Sequence, residues 1–164
     1  MQNFYLYFNE YGFQKDTKKI ENLFSQLPKP IVFTNGVFDI LHIGHVKYLH
    51  ESKKHGASLV VAINSNESVK LLEKGINRPI VDEKDRAGII SCLKPVDICI
   101  IFKQKTPEYL INKIKPEIYT KGSDYNKNKI PFANTLKKMK IKTIFIPIIK
   151  NKSSTNIINK IKEN

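Results

Sequence analysis

Runs of apolar residues recur along this chain and alternate with stretches in which apolar positions return every three or four residues. The runs at Ile31–Asn35, Ser58–Asn64, Val96–Phe102, Glu117–Thr120 and Lys142–Pro147 predict five strands. Helical spacing predicts helices over His45–His55, Glu83–Leu93, Thr106–Lys115, Asn134–Met139 and Ser153–Lys162. The punctuation agrees: Gly56 follows the first helix, Lys94-Pro95 stops the second, and Thr106-Pro107-Glu108 opens the third, which ends before Pro116. Val46 and Leu49 form the inward face of the first helix, and Ile157, Ile158 and Ile161 share one face of the last. One more helix is expected at Asp16–Leu27, outside the alternation.

Strands that are apolar throughout, rather than at every second position, belong to parallel sheets covered on both faces by helices. The chain therefore reads as α/β. A single doubly wound domain with a parallel five-stranded sheet occupies residues 30–164, preceded by an N-terminal extension, residues 1–29, with its leading helix. Phe4, Tyr5, Tyr7, Phe8, Tyr11 and Phe13 make that extension too aromatic for a solvated tail. In doubly wound sheets ligands sit beyond the carboxyl ends of the strands, near the reversal of strand order. That rule directs attention to the segments after Asn35, Asn64, Phe102, Thr120 and Pro147.

Composition changes this picture in two ways. The 164 residues are 41% hydrophobic, enough for a buried core, yet no apolar run approaches a membrane span. The first residues lack the basic segment of a signal peptide, so the expected setting is cytoplasmic, without membrane attachment. Two cysteines, Cys92 and Cys99, provide neither a disulfide framework nor a four-ligand zinc site, and both read as small buried thiols. The formal net charge of +13 invites a second class of reading, a basic nucleic-acid-binding module. However, 26 of the 28 basic residues are Lys, and Ile (24) and Asn (15) are inflated too. Such a joint excess points to AT-rich codons acting everywhere, and no nucleic-acid-binding motif or interleaved aromatic–basic stripe is present, so no nucleic-acid partner is expected. Against this background the two arginines, Arg78 and Arg86, stand out. A guanidinium offers a planar fork of donors suited to phosphate, which an ammonium does not.

Directly after the first strand runs Thr34-Asn-Gly-Val-Phe-Asp-Ile-Leu-His-Ile-Gly-His45. Two imidazoles flank a glycine at the entrance of a helix, where unpaired N–H groups favour an anion. His42 and His45 would then donate to phosphate oxygens as charge builds during phosphoryl or nucleotidyl transfer. The plainer alternative is a pair of half-buried histidines satisfied by backbone. Lys121-Gly-Ser-Asp-Tyr125 follows the fourth strand, and Ser153-Ser-Thr155 stands before the last helix. Each has a plain alternative as well, a turn for the former and an N-cap for the latter.

These segments together resemble the nucleotidyltransferase superfamily marked by His-x-Gly-His, and within it the D-glycero-β-D-manno-heptose 1-phosphate adenylyltransferases. The resemblance covers about residues 31–161 and includes Val60–Asn66, Arg78-Pro-Ile80, Asp85-Arg-Ala87, Thr106-Pro-Glu108 and Ser153–Ile158. It departs at Ser123, where the family has a glycine, at Ser154, where Thr is common, and at Val37, where Cys is common. Around Lys74 this chain is one residue longer than the usual spacing.

The resemblance implies a Rossmann-like nucleotidyltransferase fold with His42 and His45 as catalytic residues. It implies nucleotide and phosphate contacts from Asn35, Gly36, Phe38, Gly44, Arg86, Lys121, Gly122, Asp124, Ser153, Ser154 and Thr155. Asp39, Lys74 and Arg78 would hold the sugar phosphate. The implied reaction joins AMP from ATP to a heptose 1-phosphate, releasing pyrophosphate and giving the ADP-heptose of lipopolysaccharide cores. Mg²⁺ would arrive with ATP, with no protein metal site, and a separate sugar kinase and a homodimer are further implications. The nearest rival on the same scaffold is a cytidylyltransferase acting on glycerol 3-phosphate or a similar small phosphate.

Overall fold

The computed structural model describes residues 6–9, 12–13, 22–72, 75, 77–124, 130–149 and 152–163. Its elements are β1 (Leu6–Asn9), β2 (Gly12–Phe13), β3 (Ile31–Gly36), α1 (Ile43–Lys53), β4 (Ser58–Asn64), α2 (Asn66–Lys70), α3 (Glu83–Ser91) and β5 (Ile98–Phe102), then α4 (Glu108–Ile114), β6 (Ile118–Gly122), α5 (Ala133–Lys138), β7 (Lys142–Ile146) and α6 (Ser154–Lys162). The sheet order is β2-β1-β5-β4-β3-β6-β7. β3 pairs in parallel with both β4 and β6, so the chain winds outward through β4 and β5 and then returns to β3's other side. The expected five-stranded parallel sheet is β5-β4-β3-β6-β7, and the reversal of strand order lies between β3 and β6.

The N-terminal extension adds two strands to this sheet. β1 lies parallel to β5 and β2 folds back antiparallel on β1. Phe4, Tyr5 and Tyr11 lie outside the described residues, as does most of the leading helix expected at Asp16–Leu27. Its described part is a helical turn at residues 22–25, where Phe24 is buried.

Both faces of the sheet are covered, which is why its strands are apolar throughout. β4 is buried at every position and sends Val60 and Ala62 to one side, Leu59, Val61 and Ile63 to the other. The first side packs with Leu110, Ile111 and Ile114 of α4 and Leu136 of α5. The second packs with Leu49 of α1 and Ala87 and Ile90 of α3. One close approach depends on glycine: a Cβ on Gly56 would lie 2.4 Å from the Pro30 carbonyl oxygen, where the turn after α1 crosses the entry to β3.

Three local expectations change. Cys99 is buried, and burial pushes its thiol up to about 12, but Cys92 is exposed because it caps the carboxyl end of α3 rather than facing the sheet. α4 begins at Glu108 after Pro107 and has no side-chain cap, so Thr106 does not act as one. α2, a five-residue helix capped by Ser65, is too short to show a period and was not expected.

Candidate active site

A cleft of about 400 Å³ opens at the carboxyl ends of β3 and β6, where the strand order reverses. Its floor begins with β3. Tyr48 of α1 shares a 2.6 Å hydroxyl contact with Thr34, and Thr34 donates to the Thr120 carbonyl at 3.1 Å. These bonds tie α1 to the two strands that flank the cleft. Asn35 and Lys121 stand above them, the Lys121 ammonium donating to the Asn35 carbonyl at 2.9 Å and the Tyr119 hydroxyl to Asn35 Oδ1 at 2.7 Å.

The histidine segment enters α1 in an unusual way. His42 is the N-cap, and its Nδ1 accepts the Gly44 N–H at 3.1 Å. An imidazole therefore does what a Ser or Asp side chain usually does for an unpaired helix N–H. The ring folds so closely over the helix start that a Cβ on residue 44 would lie 2.8 Å from His42 Nδ1, which is why glycine stands there. With Nδ1 accepting, neutral His42 carries its proton on Nε2. Burial, reinforced by the Lys152 ammonium, lowers the His42 pKa and favours this neutral form.

His45, one turn on, stacks on His42 with ring centroids 3.8 Å apart. Its other neighbour is Phe38, edge-on at 5.2 Å. Phe38 is buried at φ 50°, a left-handed conformation that costs a bulky residue of order 1–3 kcal/mol. The ring occupies the space a Cβ on Gly36 would need, 2.9 Å from Phe38 Cε2. Phe38 thus supports His45 as well as lining the cleft.

The opposite wall is cationic. Asp39 is buried, accepts the Ile80 and Val81 N–H groups on Oδ1 at 2.8 and 2.9 Å, and pairs through Oδ2 with Arg78 Nε at 2.5 Å. Arg78 lines the cleft, and its two terminal nitrogens bond to none of the described residues. Lys152 and the start of α6 complete the rim. Ser153 caps α6 by accepting the Asn156 N–H at 3.1 Å, and Ser154 donates to the Ile40 carbonyl at 3.1 Å. Thr155 is exposed at the cleft, with Ile148 and Ile149 as its apolar side. Gly122 lets the end of β6 close in: a Cβ there would lie 2.5 Å from Asp124 Oδ1 and 3.0 Å from Ile148.

Most residues singled out from the sequence therefore converge: Asn35, Gly36, Phe38, Asp39, His42, Gly44, His45, Arg78, Lys121, Gly122, Asp124, Ser153, Ser154 and Thr155 all line the cleft. Arg86 does not. It is 1% exposed and its guanidinium is engaged by backbone and side-chain oxygens beneath the cleft, so the expected phosphate contact is corrected. The Ser153 hydroxyl caps α6 and the Ser154 hydroxyl is bonded to the Ile40 carbonyl, which leaves the first N–H groups of α6 and Thr155 to face a ligand. Asp39 holds Arg78 rather than presenting a free carboxylate. Lys74 lies outside the described residues. Lys152, Tyr48, Ile148 and Ile149 were not expected. Lys152 had a signal, its place next to the Ser153 cap, but it was lost among so many lysines.

Among the described residues no group of three or more His, Cys, Asp or Glu side chains could hold a metal ion. No described helix is long and apolar enough to cross a membrane.

Comparison with known proteins shows what the chain is similar to. The sequence profile of the cytidylyltransferase-like family matches residues 33–160. The chain is 42% identical over 138 residues to the D-beta-D-heptose 1-phosphate adenylyltransferase of Bordetella bronchiseptica, covering 84% of this chain and 85% of that protein. It is 44% identical over 153 residues to the bifunctional protein HldE of Campylobacter fetus subsp. fetus, covering 92% of this chain but only 32% of that longer protein. Among solved structures it resembles a lipopolysaccharide core biosynthesis protein from Thermoplasma volcanium, with TM-score 0.59 and 34% identity over 74% of this chain and 98% of that one. Pantothenate synthetase from Thermus thermophilus shares the fold, with TM-score 0.60 at 14% identity over 84% of this chain and 65% of that one.

Proposed function

The chain belongs to the cytidylyltransferase-like family and is a nucleotidyltransferase, and from that premise we propose that it transfers AMP from ATP to a heptose 1-phosphate, giving ADP-heptose and pyrophosphate for lipopolysaccharide cores. The observation that carries the proposal is the stacked pair His42–His45 at the start of α1, inside a cleft rimmed by Arg78, Lys121 and Lys152. The substrate class is supported by the heptose 1-phosphate adenylyltransferase of Bordetella bronchiseptica.

A sugar-phosphate oxygen attacks the α-phosphorus in line, a new P–O bond forms, and the bond to the bridging oxygen of pyrophosphate breaks. A phosphate monoester is already a competent nucleophile at neutral pH, so the chain supplies no general base. Its work is positioning and charge stabilisation. His42 Nε2–H and His45 donate to the α-phosphoryl oxygens as charge accumulates there. The N–H groups of α6, Thr155 and Lys152 hold the departing pyrophosphate. Arg78, with Nε anchored on Asp39, presents its terminal nitrogens to the phosphate of the sugar. The apolar Ile148 and Ile149 suit the face of the base.

Mg²⁺ comes with the triphosphate and spreads its charge when bound. Asp124, exposed at the cleft, is the carboxylate available to such an ion, because Asp39 is occupied by Arg78. The heptose 1-phosphate this chain consumes is the kind of product a sugar kinase makes.

A pyrophosphate-release assay crossing ATP and CTP with heptose 1-phosphate and glycerol 3-phosphate tests this reading. Turnover is expected with ATP and heptose 1-phosphate. Preference for CTP with glycerol 3-phosphate would replace the substrate assignment on the same scaffold.

A further inference from the structure

We propose that Arg86 is a positioning residue for the transfer reaction, setting Arg78 through Val81 and Asp39, and His45 through Val37 and Phe38. The inference rests on the reading above that Arg78 and His45 act on phosphate groups. Its basis is the hydrogen bonding of the guanidinium. Nε donates to the Val81 carbonyl at 2.9 Å, Nη1 to the carbonyls of Val37 at 2.7 Å and Asn64 at 2.8 Å, and Nη2 to Asn66 Oδ1 at 2.9 Å. These acceptors lie on three separate segments: the loop after β3, the link from β4 into α2, and the loop before α3.

Two of the contacts lead directly to the cleft. Val81 accepts from Arg86 through its carbonyl and donates through its N–H to Asp39 Oδ1, and the other oxygen of Asp39 holds Arg78. Val37 precedes Phe38, whose left-handed backbone aims its ring at the edge of His45. A single buried fork therefore fixes a wall that carries a phosphate ligand and the support under a catalytic imidazole. None of its hydrogen-bond acceptors is a carboxylate. An ammonium has three donors on one atom and cannot span acceptors arranged around a planar fork. This accounts for an arginine in a chain whose other cations, Arg78 apart, are lysines. A charge buried only for stability is commonly replaceable by an apolar residue of similar volume, which gives a buried guanidinium with distributed acceptors a different rationale.

Because the chain has two arginines, side-chain N–H spectra resolve the question. In ¹H–¹⁵N spectra the Arg Nε–H region of the native chain contains Arg78 and Arg86, and in Arg86→Lys it contains Arg78 alone. In Arg86→Lys the Arg78 Nε–H signal is expected to move to the position of a free arginine and to exchange faster with water. The backbone amide pattern of β3, β4 and β5 should stay folded. In the same variant kcat/KM for heptose 1-phosphate is expected to fall tenfold or more, because misplacement of reacting groups by about 1 Å costs on the order of a hundredfold. An Arg78 signal that keeps its native shift and exchange rate in folded Arg86→Lys would overturn the proposal. So would a loss of turnover matching only the fraction unfolded.

Should Arg86→Lys fail to fold, Asn66→Ala removes one of the fork's acceptors and leaves three in place. A smaller change of the same kind in Arg78 exchange is expected there, and an unchanged Arg78 would again overturn the idea. The spectra require no substrate. A native chain inert toward heptose 1-phosphate would therefore defeat the functional reading, while the Arg78 signal still decides the coupling.

Discussion

Two helices begin at the cleft, and they are held in contrasting ways. α1 is fixed along its length: Leu49 is fully buried against the sheet, and Tyr48 is bonded to Thr34 between β3 and β6. α6 is fixed at one end, by Ser154 on the Ile40 carbonyl, and Ile161 near its other end is 67% exposed. Their caps differ in the same sense. α1 is capped by an imidazole that is itself a proposed reactive group, and α6 by Ser153, whose hydroxyl accepts the Asn156 N–H. The groups proposed to meet the transition state thus stand on the helix with more restraints. Those proposed to hold a departing pyrophosphate stand on the helix with fewer restraints. Rigid support serves charge stabilisation, which depends on preorganised donors. Product release needs the opposite.

Substitutions on the two helices test this contrast. The largest effect is expected from His45→Ala on α1, a loss of about 3 kcal/mol in transition-state stabilisation, or roughly a hundredfold in kcat, as for removal of one preorganised donor. Steady-state turnover measures it, and near-normal kcat would end the assignment of His45. On α6, Thr155→Ala is expected to raise KM for ATP by several-fold, about 1 kcal/mol, with kcat almost unchanged. A Thr155→Ala variant that lost as much kcat as His45→Ala would erase the distinction between the helices.

The smallest effect concerns a place where they influence each other. Burial, together with Lys152 just before α6, keeps the His42 pKa below its ordinary value of 6.5. The folded state therefore disfavours the proton. Its stability from this group is complete above about pH 6.5 and declines as pH falls, since the unfolded chain takes up the proton first. Removing the ammonium with Lys152→Gln should raise the His42 pKa and move the acid limb of the pH–rate profile toward neutrality. An acid limb that stayed in place would show that Lys152 does not act on His42.

The sheet was legible in the sequence because burial on both faces leaves a plain mark. In β4 every residue is enclosed, and its apolar run coincides with the strand, Ser58–Asn64. The cleft was legible for a related reason: the segments after β3 and β6 and before α6 carry residues with little use elsewhere, two histidines around a glycine and a Lys-Gly pair. What was not legible was the direction in which a side chain points. Arg78 and Arg86 sit eight positions apart with the same chemistry, yet one faces the cleft and the other is enclosed under it. Arg78 lies in the loop before α3 and Arg86 within it, and the acceptors that decide where Arg86 points, Val37 and Asn64, are far away in the chain. Cys92 and Cys99 teach the same point, as similar neighbours decide nothing when one residue ends a helix and the other occupies a central strand.

The enclosure of Arg86 also has a practical consequence for covalent labelling. A dicarbonyl reagent such as phenylglyoxal, which condenses with guanidinium groups, meets two arginines in this chain, and one of them is 1% exposed. Modification of the folded protein should then follow the kinetics of a single site, Arg78, although 26 lysines surround it. A molecule rich in positive charge thus offers that reagent one accessible target, and the target lies in the cleft.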